Sequence, residues 1–405
     1  MPSQPALCTD LYELTMAAAY WQAGITHEAA FEMFVRHLPD DRPFMLAAGL
    51  EQALEYVQNL RFTDDQIDYL RGLDAFEPVE DGFFEYLRDF RFTGTVLAVP
   101  EGTPIFPDEP FVRVEGPMIE AQIVETFVLS AINFQTLIAS KAARVVQAAD
   151  MDGRHRPVAE FGARRAHGFG AAVQAARASF IAGCDASSNT EAGYMTGMPV
   201  SGTKAHSFVM NFEQEEAAFR AYHDCFGEQS IMLIDTYDTV EGARKAVEVA
   251  PNMRGVRLDS GDLLELSQKV RDILDQGGCE DAIIVASGNL DEYRIAELVR
   301  EGAPIDAFGV GTSLVTSDDD PALGGVYKLV SVRQDGEWRP RMKLSASKTT
   351  WPGRKEIFRF RDPKTDRFVR DVLGCADEPT PDGAERVLTE VVRYGGAIGV
   401  IAEDI

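Results

Sequence analysis

Between residues 158 and 310 short apolar runs alternate with longer amphipathic ones. The short runs are Val158–Phe161, Ile231–Asp235, Gly255–Asp259, Ile283–Ser287 and Ile305–Val310. Each is too short for a helix and mostly apolar, so each predicts a strand. Helical periodicity follows at Val240–Val249, Leu263–Leu274 and Glu292–Arg300. That spacing is one of βα units and implies parallel strands.

The N-terminal third mixes both periods. Asp10 with Glu13 has the form of a capping box ahead of a helix that Gly24 can end. Thr63 with Gln66 repeats the signal. Phe31, Met33 and Val35 alternate with Glu32, Phe34 and Arg36, as in a strand. Thr93–Phe106 reads as a strand pair around Pro100-Glu101-Gly102. Pro117 suits the first position of a long helix towards Ala149. Its most apolar stretch, Phe127–Ala149, carries Lys141 and Arg144 and reads as a buried helix, not a membrane span. From Tyr327 strand-like runs return as VYKLVSV, RMKLSAS and IFRFRD.

Polar residues and glycines gather where the central strands stop: VAEFG, MLID, VRLDSGD, VASGN and FGVGTS. Barrel enzymes place their chemistry at the carboxyl ends of the strands. The expected fold class is α/β: an irregular (β/α) barrel plus a second mixed α/β domain. A doubly wound sheet is the alternative, because five units do not prove closure. The expected segments are 1–115, 116–325 and 326–405, the last returning to the N-terminal domain.

Composition narrows the partners. With 39 basic and 65 acidic residues the formal charge is −26. A nucleic-acid binder needs a basic face, and an anionic membrane repels an acidic chain, so neither is expected as a partner. The five cysteines are odd in number and make no C-x-x-C, which suggests reduced thiols. The opening MPSQPALCTD has neither a basic nor an apolar leader segment. A cytoplasmic location is expected.

Several strand ends could carry chemistry. Gly309 and Gly311 let the backbone approach a ligand, and free amides with a hydroxyl from Thr312 or Ser313 could hold a phosphate. A plain tight turn is the competing reading. Ser287-Gly288-Asn289 is a second candidate of the same kind. Arg257 could pair with a planar carboxylate, and the two aspartates, Asp259 and Asp262, could hold Mg²⁺ or ribose hydroxyls. Equally, Asp259 or Ser260 could cap the next helix while Arg257 serves a structural ion pair. Arg164 and Arg165, adjacent in an acidic chain, suggest an anion site or a solvated basic turn. His206 could act as base, ligand or nucleophile. Tyr12 reads as a packing residue behind a cap at Thr9 or Asp10. Lys328 could be solvated or face a phosphate. No P-loop sequence and no metal-binding histidine spacing occurs.

Taken together, TDLYELTMAAAYW, EFGARRAHG, GTKAHSF, RLDSGDL, SGN-x-D, GVGTSLVTS and GGVYKLV resemble the nicotinate phosphoribosyltransferase family, in that family's order from about Thr9 to Ser347. The resemblance implies formation of nicotinate mononucleotide and pyrophosphate from nicotinate and phosphoribosyl pyrophosphate. It implies coupling to ATP hydrolysis, use of Mg²⁺, and a homodimer with sites near the subunit boundary. By the same resemblance His206 is the histidine phosphorylated by ATP, and Thr203 contacts nicotinate. Tyr12 stacks on the pyridine ring and Arg257 faces its carboxylate. Gly309, Gly311 and Thr312 hold the ribose 5-phosphate, and Arg164 and Arg165 lie on the pyrophosphate side. Asp235, Asp259 and Lys328 are polar residues of the site, with Ser287 and Gly288 among its binding residues. Lys204 looks variable within its motif, and the resemblance gives it no role.

Overall fold

The computed structural model describes residues 6–344 and 350–397. The chain forms two compact units. One joins Met1–Leu137 to Ala322–Ile405, and the other is Ile138–Pro321. The boundaries expected at 115/116 and 325/326 compare with a division at 137/138 and 321/322. The first of these falls inside the helix Glu125–Ala149, so no loop or composition change marks it. In its most apolar window, 67% of that helical run is buried, which fits a core helix.

In the central unit six strands form one parallel sheet. Their order is Ala186–Ser187, Val158–Glu160, Ala307–Val310, Ile283–Ala286, Gly255–Leu258 and Ile231–Leu233. The register brings the strand ends level: Leu258 pairs with Ala286, Ala286 with Phe308, and Val310 with Glu160. Hence the residues just past each strand gather along one rim. The two edge strands are not paired to each other. Instead the stretch from Pro199 to Lys204 spans them: Ser187 N donates to the Pro199 carbonyl, Ser201 N to the Ser187 carbonyl, and Lys204 Nζ to the Ile231 carbonyl. A loop backbone thus meets one edge of the sheet and a side chain meets the other.

Aspartates start the helices that follow the strands. Asp238 accepts from Glu241 N, Asp262 from Leu264 N and Glu265 N, and Asp291 from Arg294 N. The cap of Leu263–Gln276 is therefore Asp262, not Asp259 or Ser260. Those two residues are left for other work.

In the other unit a seven-stranded antiparallel sheet runs Glu337–Pro340, Gly325–Gln334, Glu28–Val35, Val112–Pro117, Thr95–Ala98, Thr389–Arg393, Gly396–Ala397. N-terminal and C-terminal segments thus share one sheet. Both faces of Glu28–Val35 are buried, and Glu32 is met there by Lys355 and Arg113. The strand pair expected in Thr93–Phe106 does not form. Thr95–Ala98 pairs with Val112–Pro117 and Thr389–Arg393, while Pro104–Ile105 pairs with Met45–Leu46. The turn is drawn elsewhere, with Gly102 N donating to the Ala47 carbonyl and Glu101 accepting from Leu50 N.

The Thr63–Gln66 capping box is present. The one expected at Asp10 is not: Glu13 is buried and accepts from Thr126 N and Oγ1, while Asp10 N donates to Thr126 Oγ1. Of RMKLSAS, 341–344 form no strand and 345–347 lie outside the described residues.

Candidate active site

The rim of the parallel sheet is built around Arg257, Asp235 and Asp259. Arg257 lies on its strand with its side chain largely buried, 12% exposed. One Nη donates to Thr203 Oγ1, another sits 3.9 Å from Asp259 Oδ1, and Nε has no hydrogen-bond partner. Burial pushes its pKa down, and Arg164 adds to the repulsion while Asp259 and Asp235 oppose it. An unsatisfied buried cation of this kind is ready for an anion.

Asp235 stands two residues past the edge strand. Its Oδ2 accepts from Asp259 N at 3.1 Å and from Ser260 Oγ at 2.6 Å, and its Oδ1 is buried without a partner. Asp259 Oδ1 accepts from Ser287 Oγ, and its Oδ2 lies 3.7 Å from His206 Nε2. Gly288 has φ +90°, and an added Cβ would fall 1.9 Å from the Asp259 carbonyl oxygen. Glycine there is a requirement of close approach. His206 opens the short helix His206–Met210, with Nδ1 3.1 Å from Thr236 Oγ1. Hydrogen bonds and contacts thus tie together Thr203, His206, Asp235, Arg257, Asp259, Ser287 and Gly288.

A second cluster lies at the neighbouring strand ends. An added Cβ on Gly309 would strike the Phe161 ring at 2.4 Å, and one on Gly162 would strike Val315 at 2.6 Å. These glycines let the turn after Val310 lie flat against the turn after Glu160. Thr312 is exposed at the start of the helix Thr312–Thr316. Glu160 braces the arrangement from below. It is buried, accepts from Ser187 Oγ at 2.6 Å and from Gly162 N, and burial raises its pKa. Arg164 and Arg165 are exposed on the turn Ala163–Arg165 and make no side-chain hydrogen bond or ion pair among the described residues. Cations left unpaired in so acidic a chain are available to an external anion.

Tyr12 and Lys328 belong to the other unit. Tyr12 is exposed on the first turn of Leu11–Gln22, so it does not pack in the core. Lys328 Nζ donates to the Tyr327 carbonyl at 2.9 Å. Both interact with Glu125, a carboxyl whose pKa burial raises. Sequence reasoning gave no site role to Glu160, Thr236, Ser260 or Lys204. The first three sit inside or beside the strand-end motifs, and that position was the available signal.

Comparison with known proteins gives the geometry its context. A family model described as the nicotinate phosphoribosyltransferase N-terminal domain matches residues 7–133, and the nicotinate phosphoribosyltransferase family model matches 157–376. Nicotinate phosphoribosyltransferase pncB2 of Mycobacterium tuberculosis is 48% identical, over 97% of this chain and 83% of its own. The nicotinate phosphoribosyltransferase of Bacillus subtilis is 44% identical, over 93% of this chain and 77% of its own. The crystal structure of human nicotinic acid phosphoribosyltransferase superposes with a TM-score of 0.82 at 31% identity, covering 96% of this chain and 90% of that one. These matches span both units and every strand-end motif described above, and the chain belongs to the nicotinate phosphoribosyltransferase family.

Proposed function

We propose that the chain transfers the phosphoribosyl group of phosphoribosyl pyrophosphate to the ring nitrogen of nicotinate, releasing pyrophosphate. ATP drives this by phosphorylating His206. The observation that carries the reading is Arg257: a buried guanidinium at a strand end, fixed by Thr203, with its Nε unsatisfied. It offers a planar fork to a planar carboxylate. Nicotinamide has no carboxylate to place there, and quinolinate would bring a second one.

The remaining roles follow from charge and exposure. Gly309, Gly311 and Thr312 offer amides and a hydroxyl to the ribose 5-phosphate. Arg164 and Arg165 neutralise pyrophosphate as it departs. Ser287 and Gly288 hold Asp259 in place. The ring nitrogen of nicotinate supplies its own lone pair, so attack needs no general base. Tyr12 would stack on the pyridine, and Lys328 is assigned to the same chemistry. The working form is a cytoplasmic homodimer.

Mg²⁺ typically takes one or two carboxylates alongside substrate phosphates. Among the described residues no cluster of three or more His, Cys, Asp or Glu could hold a metal alone. Asp235, with its buried and unpartnered Oδ1, and Asp259 fit the smaller requirement. Bound there, the ion supplies positive charge for the pyrophosphate.

Product formation from phosphoribosyl pyrophosphate with nicotinate, nicotinamide or quinolinate tests the assignment. Nicotinate should be preferred by about 10²-fold or more, the weight of a lost charged hydrogen-bond pair. Equal use of nicotinamide would refute the role of Arg257.

A further inference from the structure

Lys204 is buried between Thr203 and His206, yet neither the strand-end geometry nor the family resemblance gives it work. Its Nζ donates to the Ile231 carbonyl at 2.6 Å, lies 3.7 Å from Met232 Sδ, and sits 3.4 Å from the centre of the Tyr222 ring. Among the described residues it has no carboxylate partner. Burying a lone ammonium is costly. Burial, with Arg257 nearby, pushes this amine down to about 7. The carbonyl and the ring face favour the charged form in return.

The location is informative. Ile231–Leu233 is the edge of the parallel sheet, paired only with Gly255–Leu258. On its free side a further strand would donate an amide to the Ile231 carbonyl. No strand is described there, and the Lys204 ammonium occupies that position. The residues on either side face the site. Thr203 receives the Arg257 guanidinium, and His206 meets Thr236 and Asp259. Thr236 lies three residues beyond the strand that Lys204 grips.

We propose that Lys204 is a positioning residue: its side chain replaces the missing strand at Ile231 and so holds Thr203 against Arg257 and His206 against Thr236. The importance of that alignment rests on the function proposed above, but the alignment itself can be measured without turnover. A residue kept only for packing would lose little on becoming a methionine of similar length, since buried charges often give way to apolar groups without loss of stability.

The test uses the full chain with ¹³C-labelled histidine. In the wild type, Thr236→Ala should move the His206 Cε1 resonance, because it removes the Nδ1 partner. In Lys204→Met that displacement should shrink by more than half, and in Lys204→Arg it should persist, since a guanidinium can also bind the carbonyl and cover the ring. Nicotinate KM should rise about tenfold in Lys204→Met, the loss of one hydrogen bond to a charged group, and recover in Lys204→Arg. An undiminished Thr236→Ala effect in folded Lys204→Met would overturn the proposal. If Lys204→Met does not fold, Tyr222→Leu replaces it and should weaken the displacement in the same direction; an unchanged displacement there would also overturn it. Should the wild type show no nicotinate transfer, the proposed function fails while the resonance comparison still decides the role of Lys204.

Discussion

Gly288→Ala probes the packing of the rim most sharply. Gly288 adopts φ +90°, which a residue with a side chain occupies at a cost of about 1–3 kcal/mol. The added Cβ would also lie 1.9 Å from the Asp259 carbonyl oxygen, a backbone atom that cannot rotate away. Ordinary van der Waals contact begins more than an ångström further out, so the 259 segment must move. Moving it strains two hydrogen bonds, from Asp259 N to Asp235 and from Ser287 Oγ to Asp259. Each is worth about 0.5–1.5 kcal/mol net. Urea unfolding should therefore show a loss of about 2–6 kcal/mol. Because an ångström of misplacement costs about 10² in rate, kcat/KM for nicotinate should fall about a hundredfold. Gly302→Ala is the control. Gly302 has φ +73° with nothing within 4 Å of an added Cβ. It should lose only about 1–2 kcal/mol and keep its activity. Equal stability and equal activity for the two variants would refute the claim that the Gly288–Asp259 contact shapes the site.

Three further outcomes follow from the same structure. His206→Ala should abolish nicotinate-dependent ATP hydrolysis while slow transfer without ATP persists; ADP release measured beside product checks it, and full coupling in the variant would sink the phosphohistidine. Arg257→Lys should raise nicotinate KM about ten- to a hundredfold, because a point charge cannot reproduce the fork held by Thr203, as steady-state kinetics would show. Glu13 is buried, and desolvation raises its pKa to about 7. Its folded pKa therefore exceeds its unfolded one, so its contribution is fully present below the ordinary glutamate range and declines as pH rises towards 7. Glu13→Gln should remove up to about 3 kcal/mol of that decline, read as a flatter stability profile between pH 5 and 8.

The central unit was legible in the sequence because parallel strands buried on both faces leave unbroken apolar runs. Val158–Glu160, Gly255–Leu258 and Ile283–Ala286 all lie where those runs are. Of the candidate site, Asp235, Asp259, Ser287 and the turn at 309–312 stood out as polar or glycine residues where the runs stop, although only a family resemblance supplied roles for them. What remained hidden depends on partners distant in the chain. Thr95–Ala98 looked like half of a tight hairpin within Thr93–Phe106, but its neighbours are Val112–Pro117 and Thr389–Arg393, the second almost 300 residues away. The capping signal at Asp10 was overruled by Thr126, which no local pattern can reveal. Asp259, Ser260 and Asp262 are equally good caps on paper, and only the helix start at Leu263 selects Asp262. Lys204 gave no signal: it looked variable within its motif, and its burial follows from an unpaired strand edge.

The central claim is ATP-coupled transfer to nicotinate, and its most direct test is pyrophosphate release by the purified chain from phosphoribosyl pyrophosphate, with and without nicotinate and ATP. Release should require nicotinate and should be accelerated by ATP, with ADP appearing alongside it. Release that ignores nicotinate, or that ATP leaves unchanged, would contradict the account.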